Sequence, residues 1–156
     1  MSMKVNRGKN FEAIVKTAFE AVPNTVVYRI QDQQNYKIGS KNPCDFLVYR
    51  RPLLFAIECK VTTKATLPFT NITDFQWEHL LKMSKISGVA AGILCWYIEY
   101  DKTRFIPIQL LESLKQNGAK SIRYDYDSII ITDIKGKKKR VFWEYDMASL
   151  FQSILC

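Results

Sequence analysis

The chain has 156 residues, and its 23 lysines and arginines outnumber its 15 aspartates and glutamates, so the formal net charge is +8. This length suits one hydrophobic core, and we expect residues 1–156 to form a single domain. The positive charge favours a polyanion as partner. No apolar run approaches the roughly 20 residues that a membrane-spanning helix requires, so we expect no membrane contact.

The cysteines also bear on where the protein works. They stand at positions 44, 59, 95 and 156, mostly within apolar runs, and show neither a C-x-x-C spacing nor a histidine partner. We therefore expect reduced thiols that pack as small hydrophobic residues. The N-terminus has no apolar signal-peptide core. Together these features predict a cytoplasmic protein.

The predicted elements alternate between helices and strands. Apolar residues at helical spacing predict a first helix over 9–21, and a strand follows at 25–30. The polar segment 31–42 is predicted to be a short protruding loop, and 62–71 an irregular segment. Further strands are expected at 46–49, 53–57, 89–97, 104–108, 121–124 and 128–132, and further helices at 74–87, 110–117 and 146–155. This order predicts an α/β chain with a central sheet.

Three charged residues interrupt the apolar strands around the predicted hairpin. Asp45 opens the first of these strands, and Glu58 and Lys60 lie near the end of the second. Because side chains alternate along a strand, Glu58 and Lys60 share a face and Cys59 points to the other. Antiparallel pairing then brings Asp45 close to Glu58. A turn residue and an isolated ion pair are the alternative interpretation, but the combined pattern favours a catalytic cluster.

The two carboxylates indicate a metal ion. Neighbouring carboxylates repel each other unless a cation lies between them. Hard oxygen ligands beside a lysine suit Mg²⁺, with Mn²⁺ as an alternative, better than zinc. We therefore predict that Asp45 and Glu58 bind the metal and that Lys60 helps a water molecule attack a phosphodiester.

With these residues assembled, the chain resembles the RecU-type Holliday-junction resolvases, a branch of the PD-(D/E)xK nuclease superfamily. Asp45 and Glu58-x-Lys60 match the catalytic core that the superfamily shares. The likeness covers most of the chain. The flanking segments that are similar to this branch are Asn6-Arg7-Gly8-Lys9-x-Phe11-Glu12, Pro68-Phe69-x-Asn71, Phe75-Gln76-x-Glu78-His79 and Gly118-x-Lys120-Ser121-Ile122.

The resemblance implies a restriction-endonuclease-like fold, in which helices flank a central mixed β-sheet. It implies that Asp45 and Glu58 bind Mg²⁺, that Lys60 orients the attacking water, and that Glu12 and Gln76 support the active site. The family acts as a homodimer that cuts two opposing strands of a four-way DNA junction. The expected setting is DNA recombination and repair in the cytoplasm of a bacterial cell or a phage-infected host.

Basic residues along the chain are predicted to contact DNA phosphates. Lys37 and Lys41 lie in the protruding loop, and Lys135-Gly136-Lys137-Lys138-Lys139-Arg140 is the densest positive segment. A solvated loop is the alternative interpretation of that segment. Since each neutralised phosphate releases counterions, binding should weaken steeply with salt. With Arg7, which the resemblance adds, the predicted set is Arg7, Lys9, Lys37, Lys41, Thr62, Lys64, Lys137, Lys138 and Lys139.

Two alternatives stay open at this point. One is a restriction-type or repair-type nuclease of the same fold that acts on other DNA structures. The other is a non-cleaving junction-binding protein in which the acidic pair is vestigial. The intact set of Asp45, Glu58 and Lys60 favours an enzyme, because a protein that only binds DNA has no use for paired carboxylates in apolar strands.

Overall fold

The computed structural model describes residues 6–31, 41–138 and 143–155. The helices are α1 (Arg7–Glu20), α2 (Asp74–Ser84), α3 (Ile108–Gln116) and α4 (Met147–Leu155). The strands are β1 (Val26–Arg29), β2 (Phe46–Arg50), β3 (Leu53–Thr62), β4 (Thr66–Pro68), β5 (Val89–Tyr97), β6 (Lys102–Pro107), β7 (Ser121–Arg123), β8 (Thr132–Asp133), β9 (Gly136–Lys138) and β10 (Trp143–Tyr145). Short 3₁₀ helices cover Phe69–Asn71 and Ile98–Tyr100.

Six strands form a central mixed sheet in the order β1-β2-β3-β5-β6-β8. Strands β3 and β5 run parallel, and every other neighbouring pair in this sheet is antiparallel. A parallel pair requires a crossover connection, and here that connection contains α2. The α/β arrangement predicted from the sequence, a mixed sheet flanked by helices, is therefore confirmed.

Helices cover both faces of the sheet and bury two apolar layers. On one face α1 and α4 pack on the sheet, and the rings of Phe55 and Phe151 meet edge to face with centroids 5.1 Å apart. On the other face α2 and α3 supply buried residues that include Trp77 and Leu111. Burial of this apolar surface is the main stabilising contribution to the fold.

Local capping signals set where the two helices beside the charged cluster begin. The Asn6 side chain accepts the N–H of Lys9 at 3.2 Å, and the Thr73 hydroxyl accepts the N–H of Gln76 at 3.2 Å. Asn and Thr are favoured at this position because their side-chain oxygens satisfy an otherwise unpaired helix N–H. Both α1 and α2 therefore begin near the C-terminal half of β3.

Several predicted boundaries are wrong. Strand β3 continues to Thr62 because its parallel partner β5 pairs with it along its whole second half, up to Tyr97 opposite Thr62. The segment expected to be irregular contains β4, which pairs with β7. Helix α2 ends at Ser84. The strand predicted at 128–132 is mostly a turn, closed by the Ile131 N–H on the Ser128 carbonyl at 3.2 Å, and β8 starts only at its last residue.

The described cysteines behave as the sequence predicted. Cys44, Cys59 and Cys95 are buried and form no disulfide. Burial raises the pKa of Cys44 and of Cys95 to about 12 and raises that of Cys59 well above its ordinary value. These three thiols are therefore packing groups, and Cys156 lies outside the described residues.

In the described ranges, no helix combines the length and the apolar character that crossing a membrane would require.

Candidate active site

Backbone hydrogen bonds hold Asp45 at the start of β2. Its N–H donates to the Ile57 carbonyl at 3.0 Å, and its carbonyl accepts the N–H of Ile30 at 2.8 Å. Its side chain turns toward β3, where Oδ2 accepts the N–H of Cys59 at 2.8 Å. The carboxylate is therefore fixed against the strand that carries the other two charged residues.

Glu58 and Lys60 point to the same face of β3, as the alternation of side chains predicted. The Nζ of Lys60 lies 2.9 Å from Oε1 of Glu58. Glu58 is only 4% exposed, and Cys59 packs into the apolar layer on the opposite face. Removing two charges from water costs free energy, so this largely buried ion pair is a candidate functional group.

Gln76, in the first turn of α2, connects the two charged groups. Its Nε2 donates to Oε1 of Glu58 at 2.7 Å, and its Oε1 accepts from Nζ of Lys60 at 3.2 Å. One amide thus satisfies both the acceptor and the donor of the ion pair. The structure brings Gln76 into the cluster even though 16 residues separate it from Lys60 in the sequence.

Glu12 reaches the cluster from α1. Its carboxylate forms an ion pair with the Arg29 guanidinium of β1, and its side chain is 18% exposed. Its negative charge contributes to raising the pKa of both Asp45 and Glu58. Glu12 therefore lies close enough to act on the carboxylate pair electrostatically, while its own contact is with Arg29.

Burial disfavours ionisation of both carboxyl groups, and the charge of Glu58 adds to this effect at Asp45. Burial and then the charge of Glu58 raise the pKa of Asp45 from 3.8 to about 7. Burial also raises the pKa of Glu58, although Lys60 opposes this effect. Desolvation and a neighbouring like charge both stabilise the neutral acid, so this site is one where a bound cation is favoured over two free carboxylates.

The donor set can be compared with what a metal ion requires. Among the described residues, no group of three or more His, Cys, Asp or Glu side chains is arranged to hold a metal. Mg²⁺ commonly takes one or two carboxylates and completes its shell with water and substrate phosphate oxygens. When both carboxylates are ionised they outnumber the single Lys60 ammonium, and a cation would offset the remaining negative charge, so Asp45 and Glu58 fit a Mg²⁺ ion of that type.

A groove of about 510 Å³ opens beside Lys60. Arg7 lines it from the start of α1, and Thr62 and Lys64 line it from the end of β3. The Thr62 hydroxyl donates to the Thr66 carbonyl at 3.2 Å and accepts the N–H of Lys64 at 3.1 Å. Thr62 thus shapes the turn that carries Lys64, and the groove brings three of the predicted DNA-contacting residues together.

The other predicted DNA-contacting residues lie elsewhere. Lys9 and Lys41 are exposed and do not line this groove. Lys137 and Lys138 belong to β9, which pairs with β10 in a separate two-stranded sheet. Their side chains lie outside the described residues, as do Lys37 and Lys139 altogether.

Three residues of the site were not assigned a role there by the sequence analysis. Arg29 pairs with Glu12, Asn71 lines the groove, and Thr73 caps the helix that carries Gln76. For Thr73 a signal existed, because Thr-x-x-Gln is a capping-box sequence. No local pattern predicts the Arg29 contact, which depends on how α1 lies across the sheet.

Comparison with known proteins agrees with the resemblance seen in the sequence. The family model described as "RecU: Recombination protein U" matches residues 1–143. No curated protein matches the chain. Among solved structures, one similar chain is Hjc, a Holliday junction resolvase from the hyperthermophile Archaeoglobus fulgidus, at 19% identity and a TM-score of 0.49, with 67% of this chain and 75% of that chain covered. Since the family model spans most of the sequence, the chain belongs to the RecU family of recombination proteins.

Proposed function

We propose that this protein is a Mg²⁺-dependent endodeoxyribonuclease that resolves four-way (Holliday) DNA junctions by paired, symmetric nicks. The observation that carries the proposal is the convergence of Asp45, Glu58, Lys60 and Gln76 at β3. Contacts of 2.7 to 3.2 Å join Gln76, Glu58 and Lys60, and the Cys59 N–H holds Asp45 beside them at 2.8 Å. Membership of a family of recombination proteins makes branched DNA the expected substrate.

Asp45 and Glu58 are the residues that would hold Mg²⁺, with Mn²⁺ as an alternative. A divalent cation bound there supplies Lewis-acid stabilisation of the charge that develops on the phosphodiester. The protein's own contribution is to keep both carboxylates in place. The Cys59 N–H holds Asp45, and Gln76 and Lys60 hold Glu58.

Lys60 is the residue placed to act on the substrate. An ammonium group has three N–H donors. Two of them are directed at Oε1 of Glu58 and Oε1 of Gln76, which leaves the third for a phosphodiester oxygen or for the attacking water. With its side chain 18% exposed, Lys60 lies at the boundary between the buried cluster and the groove.

The basic groove is the path proposed for one DNA strand. Arg7, Lys60 and Lys64 all line it, so the backbone of a bound strand would meet several positive charges close to the carboxylates. A homodimer would present two such sites, which suits a four-way junction because its two cleaved strands are related by two-fold symmetry. The basic segment 135–140 is an additional candidate for phosphate contacts outside the groove.

The test is cleavage of an end-labelled four-way junction and of a linear duplex of matched sequence. Wild type and Asp45→Ala are compared with Mg²⁺ and with EDTA. We expect paired nicks on the junction only, lost in EDTA and in the variant. Asp45→Ala should keep or tighten DNA binding, because the substitution removes a carboxylate that repels phosphate.

Other outcomes separate the alternatives. Equal cutting of the duplex would indicate a nuclease of the same fold with another target. Binding without cutting in any divalent metal would indicate a junction-binding protein. Loss of DNA binding in a folded Asp45→Ala protein would contradict the roles proposed for the cluster.

A further inference from the structure

Helix α2 begins with a reciprocal pair of hydrogen bonds between Thr73 and Gln76. The Thr73 hydroxyl accepts the backbone N–H of Gln76 at 3.2 Å, and the Gln76 side-chain Oε1 accepts the backbone N–H of Thr73 at 3.1 Å. Such a capping box is ordinarily a device for helix stability. Here the side chain that completes it is also the one that connects Glu58 to Lys60.

The partners of Gln76 determine how its amide is oriented. Oε1 faces two donors, the Thr73 N–H and the Lys60 ammonium, and Nε2 faces one acceptor, the Glu58 carboxylate. Rotating the amide by half a turn would set its NH₂ group against both donors and its oxygen against the carboxylate. The Thr73 N–H belongs to the backbone and keeps its position in every protonation state of the ion pair, so it selects the productive orientation.

We propose that Thr73 is a positioning residue for the active site, acting through Gln76, an inference that rests on the proposed nuclease function. Its hydroxyl holds the backbone of Gln76 in the first turn of α2. From that position the amide folds back onto the Thr73 N–H and presents Nε2 to Glu58. Thr73 itself touches neither Glu58 nor Lys60 through any hydrogen bond found in the described part of the chain.

The variant Thr73→Ala removes the hydroxyl and leaves the backbone N–H, so the first turn of α2 loses one of its two anchoring bonds. Thr73→Ser keeps the hydroxyl and is the rescue variant. Asp146→Ala is the matched control, because Asp146 caps α4 in the same way, with Oδ1 accepting the Ser149 N–H at 3.3 Å. Asp146 also lies away from the candidate site: it lines a cavity with Ala21, which is at the opposite end of α1 from Arg7.

The first readout needs neither metal nor DNA. The side-chain Nε2–H₂ signals of Gln76 are assigned in ¹H–¹⁵N spectra by their disappearance in Gln76→Glu. In wild type and Thr73→Ser we expect these protons to exchange with water at least about tenfold more slowly than those of the exposed Gln152, because hydrogen bonding protects them. In Thr73→Ala the protection should be lost, and in Asp146→Ala it should be retained.

The second readout is junction cleavage under single-turnover conditions, beside the Kd for the junction. We expect Thr73→Ala to cleave about ten- to hundredfold more slowly, the loss typical of a misplaced active-site group, with an unchanged Kd. Thr73→Ser should recover the wild-type rate. Asp146→Ala should lower the melting temperature as much as Thr73→Ala does and leave the cleavage rate unchanged.

Three results would overturn the proposal. One is a Gln76 amide that stays protected in Thr73→Ala, and another is equal loss of protection in Asp146→Ala, which would reveal general destabilisation. The third is wild-type cleavage by Thr73→Ala despite a released amide. If wild type cuts no junction in any divalent metal, the nuclease function fails instead, and the amide measurement still decides whether Thr73 positions Gln76.

Discussion

Both halves of β3 are largely buried, but the first half belongs to the hydrophobic core and the second half carries the candidate active site. In the first half Phe55, Ala56 and Ile57 are fully buried between the two apolar layers. In the second half Cys59 and Val61 still pack on the apolar layer, but the polar residues Glu58 and Thr62 are also buried, at 4% and 7% exposed. Apolar burial stabilises the fold, whereas burial of Glu58 costs free energy that its hydrogen bonds offset only in part.

Burial alone therefore does not distinguish residues of the hydrophobic core from residues of the candidate active site. The apolar half is explained by packing. The charged half needs a second explanation, since replacing a whole buried ion pair by well-packed apolar residues is often neutral or stabilising. Polar contacts converge on that half: the Cys59 N–H holds Asp45, and Lys60 of β3 and Gln76 of α2 bind Glu58.

The largest effect is expected from Glu58→Gln in the charged half. The change keeps size and hydrogen bonding but removes a charge that would hold the metal. We expect junction cleavage to fall about a thousandfold or more, the equivalent of several kcal/mol of transition-state stabilisation. Single-turnover kinetics measure it. Glu78→Gln, on the exposed side of α2, is the control and should cleave as wild type does.

We expect Glu58→Gln to lose activity without losing stability. Denaturant unfolding of Glu58→Gln should give a midpoint equal to or above that of wild type. A variant that is both inactive and strongly destabilised would show that the ion pair stabilises the folded protein. The two halves of β3 would then both contribute to stability, against this prediction.

Phe55→Ala tests the apolar half. Phe55 is fully buried and contacts the rings of Phe105 and Phe151. Its truncation should lower the free energy of unfolding by about 3–5 kcal/mol. Tyr28→Ala, at a position 67% exposed in β1, is the surface control, with a change within about 0.5 kcal/mol. Equal losses at the two positions would contradict the assignment of the core.

The pH dependence of stability tests whether the folded protein disfavours ionisation of Asp45. The pKa of Asp45 is raised from 3.8 to about 7 in the folded protein. A raised pKa means that the folded state binds the Asp45 proton more tightly than the unfolded chain does. The stabilisation that this protonated carboxyl provides is complete below about pH 4 and is lost as the pH rises through 7. In EDTA, Asp45→Asn should therefore become steadily more stable than wild type between these limits, by on the order of 4 kcal/mol.

Urea midpoints of both proteins across that pH range measure the difference. A difference that stays flat with pH would mean that Asp45 ionises in the folded protein as it does in the unfolded chain. A difference that grows toward acid would reverse the predicted sign and would indicate a stabilising, ionised carboxylate.

The smallest effect is expected along the groove. Lys64→Ala should weaken junction binding by about 1 kcal/mol and should lower the slope of log Kd against log salt by about one, as expected for the loss of one phosphate contact. Lys85→Ala is the control, since this exposed lysine follows the far end of α2. Fluorescence anisotropy with a labelled junction at several salt concentrations measures both quantities. Identical slopes for the two variants would indicate that Lys64 does not contact a DNA phosphate.

Short-range patterns were enough for part of the site. A period of two in β3 placed Glu58 and Lys60 on one face, and a tight hairpin placed Asp45 beside them. Both inferences hold because strand geometry and hairpin pairing are local. The same reasoning located the four α-helices of the described residues, with errors of a few residues at their ends, where capping rather than periodicity decides the boundary.

Local patterns in the sequence were therefore enough to predict the carboxylate pair, its lysine and the α/β order of elements. Three contacts could be seen only in the folded chain: Gln76 meets Glu58, Glu12 pairs with Arg29, and β4 pairs with β7 where an irregular segment was expected. These contacts join residues far apart in the chain. They depend on how the β3–β5 crossover lays α2 on one face of the sheet and how α1 crosses the other, which no local spacing encodes.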